Sequence, residues 1–272
     1  MLTVLECFLL ISLAPFAFAE EKENPWSRFG FNLGGTLIAT DGSVRLGAKG
    51  LGLTVDVNDF LGLDTSTYSV RADGYWRFTQ NRRHRLDFAY YGLRQSGTST
   101  LLRNIDIGDL NLPLGTTVDT SLKMDVFRLG YSYSFFKDDR MDLGIGAGLF
   151  VLPISFELTA SGLANGFEEA DITAPLPVVG LRFDFAITPK WFLRSNIDLF
   201  YIEIGDFKGS IHSGKLALEY NAFKNVGFGL SAESFRVKVE AEGGDYPGVD
   251  FNGSLEYQNL GLMAYVKFYF GK

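Results

Sequence analysis

The residue types that could support catalysis in this chain are few, and they begin with its two histidines. His212 precedes Ser213, and a histidine base with a serine nucleophile is the core of many hydrolases, together with an orienting acid or amide. Adjacent residues of a β-strand point to opposite faces, however, so His212 and Ser213 are not expected to act together. His84 lies in an arginine-rich turn, where a solvated or phosphate-facing role is favoured over catalysis.

Carboxylate groups form the second set of candidates. Glu168, Glu169 and Asp171 could provide the acidic pair of a protease, but a run of charges in a loop is more typical of a solvated face. Residues 56–59, Asp-Val-Asn-Asp, offer oxygen ligands, yet they lack the glycine and the distal glutamate of an EF-hand loop. We therefore predict no catalytic residue, no cofactor and no metal site.

The start of the 272-residue chain predicts export. Residues 1–19 are apolar and end in Ala-Phe-Ala, an A-x-A cleavage pattern, so they are predicted to be a signal peptide that precedes one domain, residues 20–272. Because no Lys or Arg precedes the apolar run, an uncleaved membrane helix is the alternative. The only cysteine, Cys7, lies in this segment, so the mature domain is expected to contain no disulfide. The net charge of −7 disfavours nucleic acid as a partner.

The elements that would position a site are clearest between Phe127 and Val151, where the residue type alternates with period two. This period predicts β-strands, with successive side chains on opposite faces. The apolar and aromatic positions are Phe127, Leu129, Tyr131, Tyr133, Phe135, Leu143, Ile145, Ala147, Leu149 and Val151. The other positions carry glycine, serine and charge. Bulky residues outside and small polar residues inside are what lipid requires, so the hairpin predicts an all-β, transmembrane, antiparallel up-and-down β-barrel.

Short polar turns divide the chain into ten predicted strands. Their approximate ranges are 29–40, 66–79, 84–97, 115–136, 140–160, 172–187, 191–205, 209–222, 225–241 and 249–270. An even number places both termini on the periplasmic side with the short turns, and the longer loops outside. Residues 44–57 could add a hairpin and raise the number to twelve.

Aromatic side chains gather near the short turns, as expected for a girdle at the membrane interface. The predicted girdle is Phe29, Phe31, Trp76, Phe78, Tyr131, Tyr133, Phe135, Phe185, Trp191, Tyr220, Phe268 and Phe270. The alternation of the last strand resembles the C-terminal signal that the barrel-assembly machinery recognises, although Gly271 and Lys272 follow it. We expect this machinery, the lipid bilayer and lipopolysaccharide as partners.

Several predicted strands exceed the roughly ten residues that cross a bilayer. In 115–136, 140–160 and 249–270 the apolar set changes parity partway along, for example between Val126 and Phe127. Because β-bulges re-aim side chains in this way, we expect bulges in these strands and a rim that stands above the membrane.

Charges of both signs occupy the inward positions of the lower strand halves. They are Arg71, Asp73, Arg77, Arg85, Asp87, Arg128, Arg182, Asp184, Arg194, Asp198, Lys215, Glu219, Glu233 and Lys267. A lipid-facing Arg or Lys at the midplane costs about 2–4 kcal/mol, so we assign these residues to the lumen. Their close opposite signs predict a paired network that fills a narrow lumen. A water-filled eyelet whose arginines favour anions is the alternative.

Several segments carry a resemblance to a known class of proteins. Residues 187–194, Ile-Thr-Pro-Lys-Trp-Phe-Leu-Arg, resemble the turn-and-strand signature of small bacterial outer-membrane β-barrel proteins. Residues 59–64, 71–78 and 83–88 resemble a poorly characterised, porin-like group among them. The resemblance implies the barrel fold and a location in the outer membrane of a Gram-negative bacterium, and it carries no catalytic residue.

Three hypotheses for function follow from these patterns. The first is a non-enzymatic outer-membrane barrel with a structural or surface-interaction role and a narrow lumen filled by charge. The second is an outer-membrane channel for small solutes that leans toward anions. The third is a lipid hydrolase embedded in the barrel, with His212 as its candidate base.

Overall fold

Ten antiparallel strands close into a barrel in the computed structural model, which describes residues 25–46, 53–56, 66–102, 104–107, 110–161, 167–205, 207–241 and 253–271. The described strands are β1 (Phe29–Leu46), β2 (Leu53–Asp56), β3 (Ser66–Arg77), β4 (His84–Thr100), β5 (Ile105–Ile107), β6 (Leu110–Leu112), β7 (Thr117–Lys137), β8 (Met141–Ala160), β9 (Phe167–Ala186), β10 (Trp191–Ile204), β11 (Phe207–Tyr220), β12 (Val226–Ala241) and β13 (Gly253–Phe270). Among these residues, no helix is long and apolar enough to cross a membrane.

The strand order confirms the predicted up-and-down topology. The barrel wall consists of β1, β3, β4 and β7 to β13. Each of these strands pairs with the next one in the chain, and β13 closes onto β1 from Phe29↔Phe270 to Leu46↔Gly253. The hairpin considered within residues 44–57 exists as a pairing between the upper end of β1 and the four-residue β2. A strand of four residues cannot cross a bilayer, so the barrel has ten strands and the twelve-strand alternative is wrong.

The alternation in β7 places two different sets of side chains on the two faces of the wall. Phe127, Leu129, Tyr131, Tyr133 and Phe135 are exposed on the outside. The even-numbered positions between them, which carry serine, glycine and Arg128, face the interior. The outer surface of this part of the barrel is therefore apolar, as lipid requires.

The expectation of bulges halfway along the long strands was wrong. In β7, Val118, Met124 and Val126 are buried in the interior with the same parity as Ser132 and Ser134. The β7–β8 register is constant from Val118↔Ala160 to Ser134↔Gly144, and it shifts only beyond Ser134, at the short-turn end.

The same holds for β8 and β13. In β8, Ile154, Phe156 and Leu158 keep the inward parity of Asp142. In β13, Tyr257 and Asn259 are buried on either side of an exposed Gln258, and the register with β12 is constant. What changes along these strands is the interior, which holds charged pairs near the short turns and mainly apolar side chains above, so the wall itself needs no bulge.

The outer surface changes in the opposite sense at about the same height. Above the apolar belt, exposed ion pairs join neighbouring strands, and we call this part of the barrel the collar. The pairs are Arg94–Asp125 (2.8 Å), Lys123–Glu157 (2.8 Å), Lys208–Glu203 (3.0 Å) and Arg236–Glu256. A polar outside over an apolar inside is the arrangement of a barrel in water, which supports the expected rim above the membrane.

The strand length gives the thickness of the apolar belt. Asp125 in the collar and Phe135 near the short turn lie ten positions apart on β7. At about 3.4 Å per residue and a tilt of about 40°, this stretch spans roughly 25 Å along the membrane normal. That value matches the apolar band of about 25 Å that is typical of transmembrane barrels.

Two neighbouring strand pairs are joined over only part of their length. The β9–β10 ladder ends at Val179↔Leu199, although β9 continues beside β8 up to Phe167. Pro175 and Pro177 lie directly above this last pair, and a proline cannot donate a ladder hydrogen bond. The β3–β4 ladder ends at Arg71↔Tyr91, where the Ser69 hydroxyl continues the contact by donating to the Gly92 carbonyl (2.6 Å).

Candidate functional site

The residues that could best take part in binding or catalysis lie in the barrel interior. All fourteen charges that the sequence assigns to the lumen have side chains that are at most 18% exposed, and each belongs to an ion pair. They form three groups instead of one network. We call the largest, which lies nearest the short turns, the basal cluster, and it consists of Arg77, Arg85, Asp87, Asp142, Arg182, Asp184, Arg194, Glu219 and Lys267.

Asp184 is the centre of the basal cluster. Its Oδ2 atom accepts hydrogen bonds from four guanidinium groups, which come from strands β3, β4, β9 and β10. These donors are Arg77 Nη2 (3.1 Å), Arg85 Nη1 (2.9 Å), Arg182 Nη1 (2.9 Å) and Arg194 Nη1 (2.9 Å). One carboxylate thus joins strands from both sides of the barrel. Arg194 also donates to Glu219 Oε2 (2.5 Å), which Lys267 contacts as well.

Asp142 was missing from the set that the sequence assigns to the lumen. Its side chain is fully buried and accepts from Arg77 Nη2 (2.8 Å) and Arg182 Nη2 (2.9 Å). Gly144, the next inward position of β8, provides space for this contact, because a Cβ atom there would lie 2.7 Å from Arg182 Nη2. The signal was available, since Asp142 belongs to the polar set of the alternating hairpin.

Tyr75 is a second interior residue that was not among the predicted lumen residues. The guanidinium carbons of Arg85, Arg77 and Arg194 lie 4.2, 4.9 and 5.2 Å from the centre of its ring. Cation–π contacts of this kind are strongest where the groups are desolvated. The Tyr75 hydroxyl also lies 2.6 Å from Ser27 Oγ. An aromatic residue near a turn is typical of the girdle, but the odd parity of Tyr75, shared with Arg77, places it inside.

Apolar and aromatic groups close the barrel at the short-turn end. Trp26, just before β1, packs edge-on against Phe192, with ring centres 6.1 Å apart, and both are almost fully buried. The Trp26 Nε1 atom donates to the Asp138 carbonyl (2.6 Å), which ties the entering chain to the β7–β8 turn. The basal cluster is therefore covered from below.

The other two charge groups lie above the basal cluster. Asp73 accepts hydrogen bonds from Lys215 Nζ (2.7 Å) and Arg71 Nε (3.2 Å). Glu233 forms ion pairs with the same two residues, at 3.3 Å from Lys215 and 2.5 Å from Arg71. Arg128 binds both carboxylate oxygens of Asp198, at 2.7 and 2.9 Å.

A small cavity lies beside the upper ion pair, and charges of both signs are paired within the three groups. A cavity beside Arg128 and Asp198 measures about 10 Å³, the space of about one water. With Asp142 included, and with Lys137, which lies 4.0 Å from it, nine cationic and seven anionic side chains face one another in the three groups. The interior arginines are thus neutralised by carboxylates.

An apolar layer fills the interior above the charges. It consists of Ile38, Tyr91, Leu93, Met124, Val126, Phe150, Leu152, Leu176, Val178, Ile211, Phe235, Val237 and Tyr257. Higher still, Leu112 at the end of the β5–β6 hairpin is fully buried, as are Val118 and Leu158 of the wall. Side chains therefore occupy the interior from the short turns to the collar.

The predicted girdle residues lie on the outer surface near the short turns. Eight are exposed, and Phe29, Phe31, Phe185 and Tyr220 are half-buried. His84 belongs to the same surface, because its Nδ1 atom lies 2.7 Å from the Tyr131 hydroxyl and its ring centre lies 5.1 Å from that of Tyr133. Phe136, Phe223 and Phe228 are also exposed and were not among the predicted girdle residues.

The candidate hydrolytic pair is not brought together. His212 is exposed on the outer face of β11, whereas Ser213 has the inward parity of Ile211. Across the part of the chain that the structure describes, no group of three His, Cys, Asp or Glu side chains could hold a metal ion. The predicted signal peptide with Cys7, residues 57–59, and the side chains of Glu168, Glu169 and Asp171 lie outside the described residues.

Comparison with known proteins shows which solved structures have a similar fold. No family model and no curated protein matches the chain. Among solved structures, the outer membrane protease OmpT from Escherichia coli is similar, with 13% identity, 89% of this chain and 96% of that chain covered, and a TM-score of 0.57. Neisserial surface protein A also matches, with 12% identity, 88% of this chain and 97% of that chain covered, and a TM-score of 0.35. OprG from Pseudomonas aeruginosa matches with 9% identity, 90% of this chain and 97% of that chain covered, and a TM-score of 0.37.

At these identities the likeness shows the fold alone, and of these three structures OmpT has a TM-score above 0.5. The chain has the fold of a bacterial outer-membrane β-barrel protein, which confirms the predicted architecture. The predicted location in the bacterial outer membrane agrees with this fold and with the apolar belt of the wall.

Proposed function

We propose that this protein is a non-conducting, non-enzymatic outer-membrane barrel that acts through its structure and through contacts made at its outer end. The observation that carries the proposal is the filled interior. A layer of paired charges and a layer of packed apolar side chains follow each other along the barrel axis, and Trp26 covers the lower end. A solute would have to displace both layers to pass.

The ion pairs support a static interior over a channel lining. Asp184 is held by guanidinium groups from four strands, so an opening beside it would separate several buried pairs at once. Breaking a buried pair leaves an uncompensated charge, which costs about 3–5 kcal/mol. An anion-selective pore would need arginines free to meet an anion, whereas the arginines of the three interior groups already contact carboxylates.

The collar supports a role at the outer surface. Its strands continue above the apolar belt with paired charges outside, so this part of the wall faces water. An exposed, regular wall can present the outer loops to other molecules or surfaces.

Conductance in planar bilayers tests the closed lumen. We expect no stable single-channel conductance from the purified protein. An open outer-membrane porin measured in the same bilayers serves as the positive control. Heat-modifiable migration in detergent gels confirms that both proteins form barrels. Stable conductance from the unmodified protein would overturn the proposal.

A lipid-turnover assay tests the non-enzymatic part. We expect no hydrolysis of phospholipid or lipopolysaccharide by the purified barrel, and no difference between it and His212→Ala. Turnover that His212→Ala abolishes would show instead that the outward histidine is catalytic.

A further inference from the structure

A groove runs along the outer face of the wall at the short-turn end, across β13, β1, β3, β4 and β7. It has a volume of about 510 Å³, which is within the range of small-molecule sites. Its lining is apolar, formed by Phe29, Trp76, Leu86, Phe88, Leu129 and Phe270, and Arg28 lies at its lower end beside Gly271. The groove therefore opens toward lipid and ends at a cation.

A close approach of backbone and ring shapes the groove. Gly74 on β3 faces outward opposite Phe88 on β4. A Cβ atom at Gly74 would lie 2.6 Å from Phe88 Cζ, so the missing side chain lets the Phe88 ring lie against the wall. Trp76 then stands on one side of the depression and Leu129 on the other, both largely exposed.

Two arginines, Arg28 and Arg82, lie in neighbouring segments at the short-turn end, because Arg82 contacts the backbone of Trp26, two residues before Arg28. Arg28 is exposed, and Arg82, in the β3–β4 turn, donates from Nη1 to the Trp26 carbonyl. Burial and the positive charge of Arg28 both lower the pKa of Arg82. Within the described part of the chain, neither guanidinium is joined to a carboxylate by an ion pair. This contrasts with the interior, where every arginine is neutralised.

The backbone at Arg82 adds an independent sign of a special position. Its φ angle of 55° lies in the left-handed region, which favours glycine, and Arg82 is the non-glycine residue with this conformation among those described. Non-glycine residues held in this region cluster at ligand-binding positions.

We infer that the groove and these two arginines form a binding site for an anionic glycerophospholipid, with an acyl chain along the groove and the phosphate between Arg28 and Arg82. The heights agree, because the aromatic girdle marks the headgroup level and the groove extends from it toward the midplane. Guanidinium groups bind phosphate through paired, charge-assisted hydrogen bonds. The site does not depend on whether the lumen conducts.

The tryptophans of the chain allow a direct test. Of its three tryptophans, Trp26 is buried in the interior, Trp76 lines the groove, and Trp191 lies near the short turns on β10, with its ring tilted against that of Tyr220. Trp191→Phe leaves Trp76 as the lipid-facing fluorophore, and Trp76→Phe leaves Trp191 as the matched control. Each variant is titrated with phosphatidylglycerol or phosphatidylcholine brominated on the acyl chains, since bromine quenches tryptophan on contact.

We expect phosphatidylglycerol to quench half of the Trp76 fluorescence at a mole fraction about fivefold lower than phosphatidylcholine requires. This ratio is equivalent to a difference in binding free energy of about 1 kcal/mol. Trp191 should show no comparable preference. Adding Arg28→Gln/Arg82→Gln should abolish the preference at Trp76, whereas Arg140→Gln, the same charge change in the β7–β8 turn, should preserve it. Arg28→Gln alone, at an exposed position, keeps the test valid if the double variant fails to fold, and it should weaken the preference.

Two results would overturn the inference. One is an equal lipid preference at Trp76 and Trp191, which would mean that the whole girdle attracts anionic lipid. The other is an unchanged preference at Trp76 without Arg28, or an equal loss in Arg140→Gln.

Discussion

Asp184 of β9 accepts a hydrogen bond from Arg77 of β3 at 3.1 Å, although the two residues are 107 positions apart in the chain. Closure of the barrel brings β3 and β9 face to face across the interior. Since Arg77 also donates to Asp142 of β8, the contact joins three wall strands through two carboxylates. The basal cluster is therefore a tertiary link of the barrel as much as a filling of its lumen.

Removal of the charge at Asp184 should destabilise the barrel strongly. Asp184→Asn leaves four buried guanidinium groups without the negative charge that they share, and the loss of one partner of a buried pair costs about 3–5 kcal/mol. Urea unfolding in detergent, followed by tryptophan fluorescence, measures the change. Asp125→Asn in the exposed collar pair is the control, with an expected change of at most about 1 kcal/mol. Similar effects of both variants would contradict the central role of Asp184.

Arg128 and Asp198 form a separate pair that suits a double-mutant cycle. Arg128→Met and Asp198→Leu should each destabilise the protein by about 3–5 kcal/mol, because each leaves a buried charge unpaired. The double variant should be close to the unmodified protein, since both charges are then gone. The free energy of unfolding of all four proteins gives the coupling energy, and additive losses would mean that the two groups act independently.

Glycines of the wall should differ sharply in their tolerance of alanine. A Cβ atom at Gly146 would lie 2.2 Å from the Tyr131 carbonyl oxygen, whereas at Gly35 it would meet no atom within 4 Å. Gly146→Ala should therefore destabilise the barrel by about 1–3 kcal/mol, because backbone must shift, and Gly35→Ala should not. Equal unfolding midpoints would contradict the close approach at Gly146.

The partial β9–β10 ladder should respond to proline replacement. Pro177→Val restores an amide donor next to the last pair, Val179↔Leu199, and should extend the ladder toward Phe200. We expect slower amide hydrogen exchange in residues 200–202 and a gain of about 0.5–1.5 kcal/mol for each new hydrogen bond. Pro153→Val in β8 is the control, because the β7–β8 ladder is only interrupted at Pro153 and resumes in the same register from Met124↔Ile154 to Phe127↔Val151. Unchanged exchange in Pro177→Val would show that proline does not end the pairing.

Single cysteines on the outer face of β7 should locate the edge of the membrane. A water-soluble maleimide should label Lys123→Cys and Asp125→Cys in the collar but not Leu129→Cys in the apolar belt, in protein reconstituted into lipid vesicles. Phe127→Cys should lie at the boundary. Strong labelling of Leu129→Cys would mean that the belt is not covered by lipid.

The alternation of residue types was sufficient to predict the wall and the inward charges. Arg71, Asp73 and Arg77 lie on the same face of β3. Because charged side chains are not expected to face lipid, their inward orientation could be predicted without knowledge of the other strands. Their partners could not be predicted, because the contact of Lys215 with Asp73 depends on how β11 and β3 face each other across the closed barrel. Asp142 was visible as an inward position, but its role required the position of Arg182 on the next strand.

The apolar layer was misinterpreted for a physical reason. Val126 and Phe127 are consecutive apolar residues, and such a pair fits either a bulge or a change in what the interior contains. A bulge is expected from such a pair if one polar lumen runs along the whole axis. The constant register between β7 and β8 shows that the interior changes from charged to mainly apolar and that the strand has no bulge there.

The uninterrupted parity of β7 also limits how the length of these strands can change. Inward positions run without a break from Val118 to Ser134, through both the apolar and the charged layers. Insertion of a single residue within this stretch would turn every side chain on one side of it to the opposite face, exposing core residues to solvent or charges to lipid. Insertion of two residues would preserve both faces. The barrel can therefore grow or shrink only in paired increments, each adding about 6.8 Å along the strand.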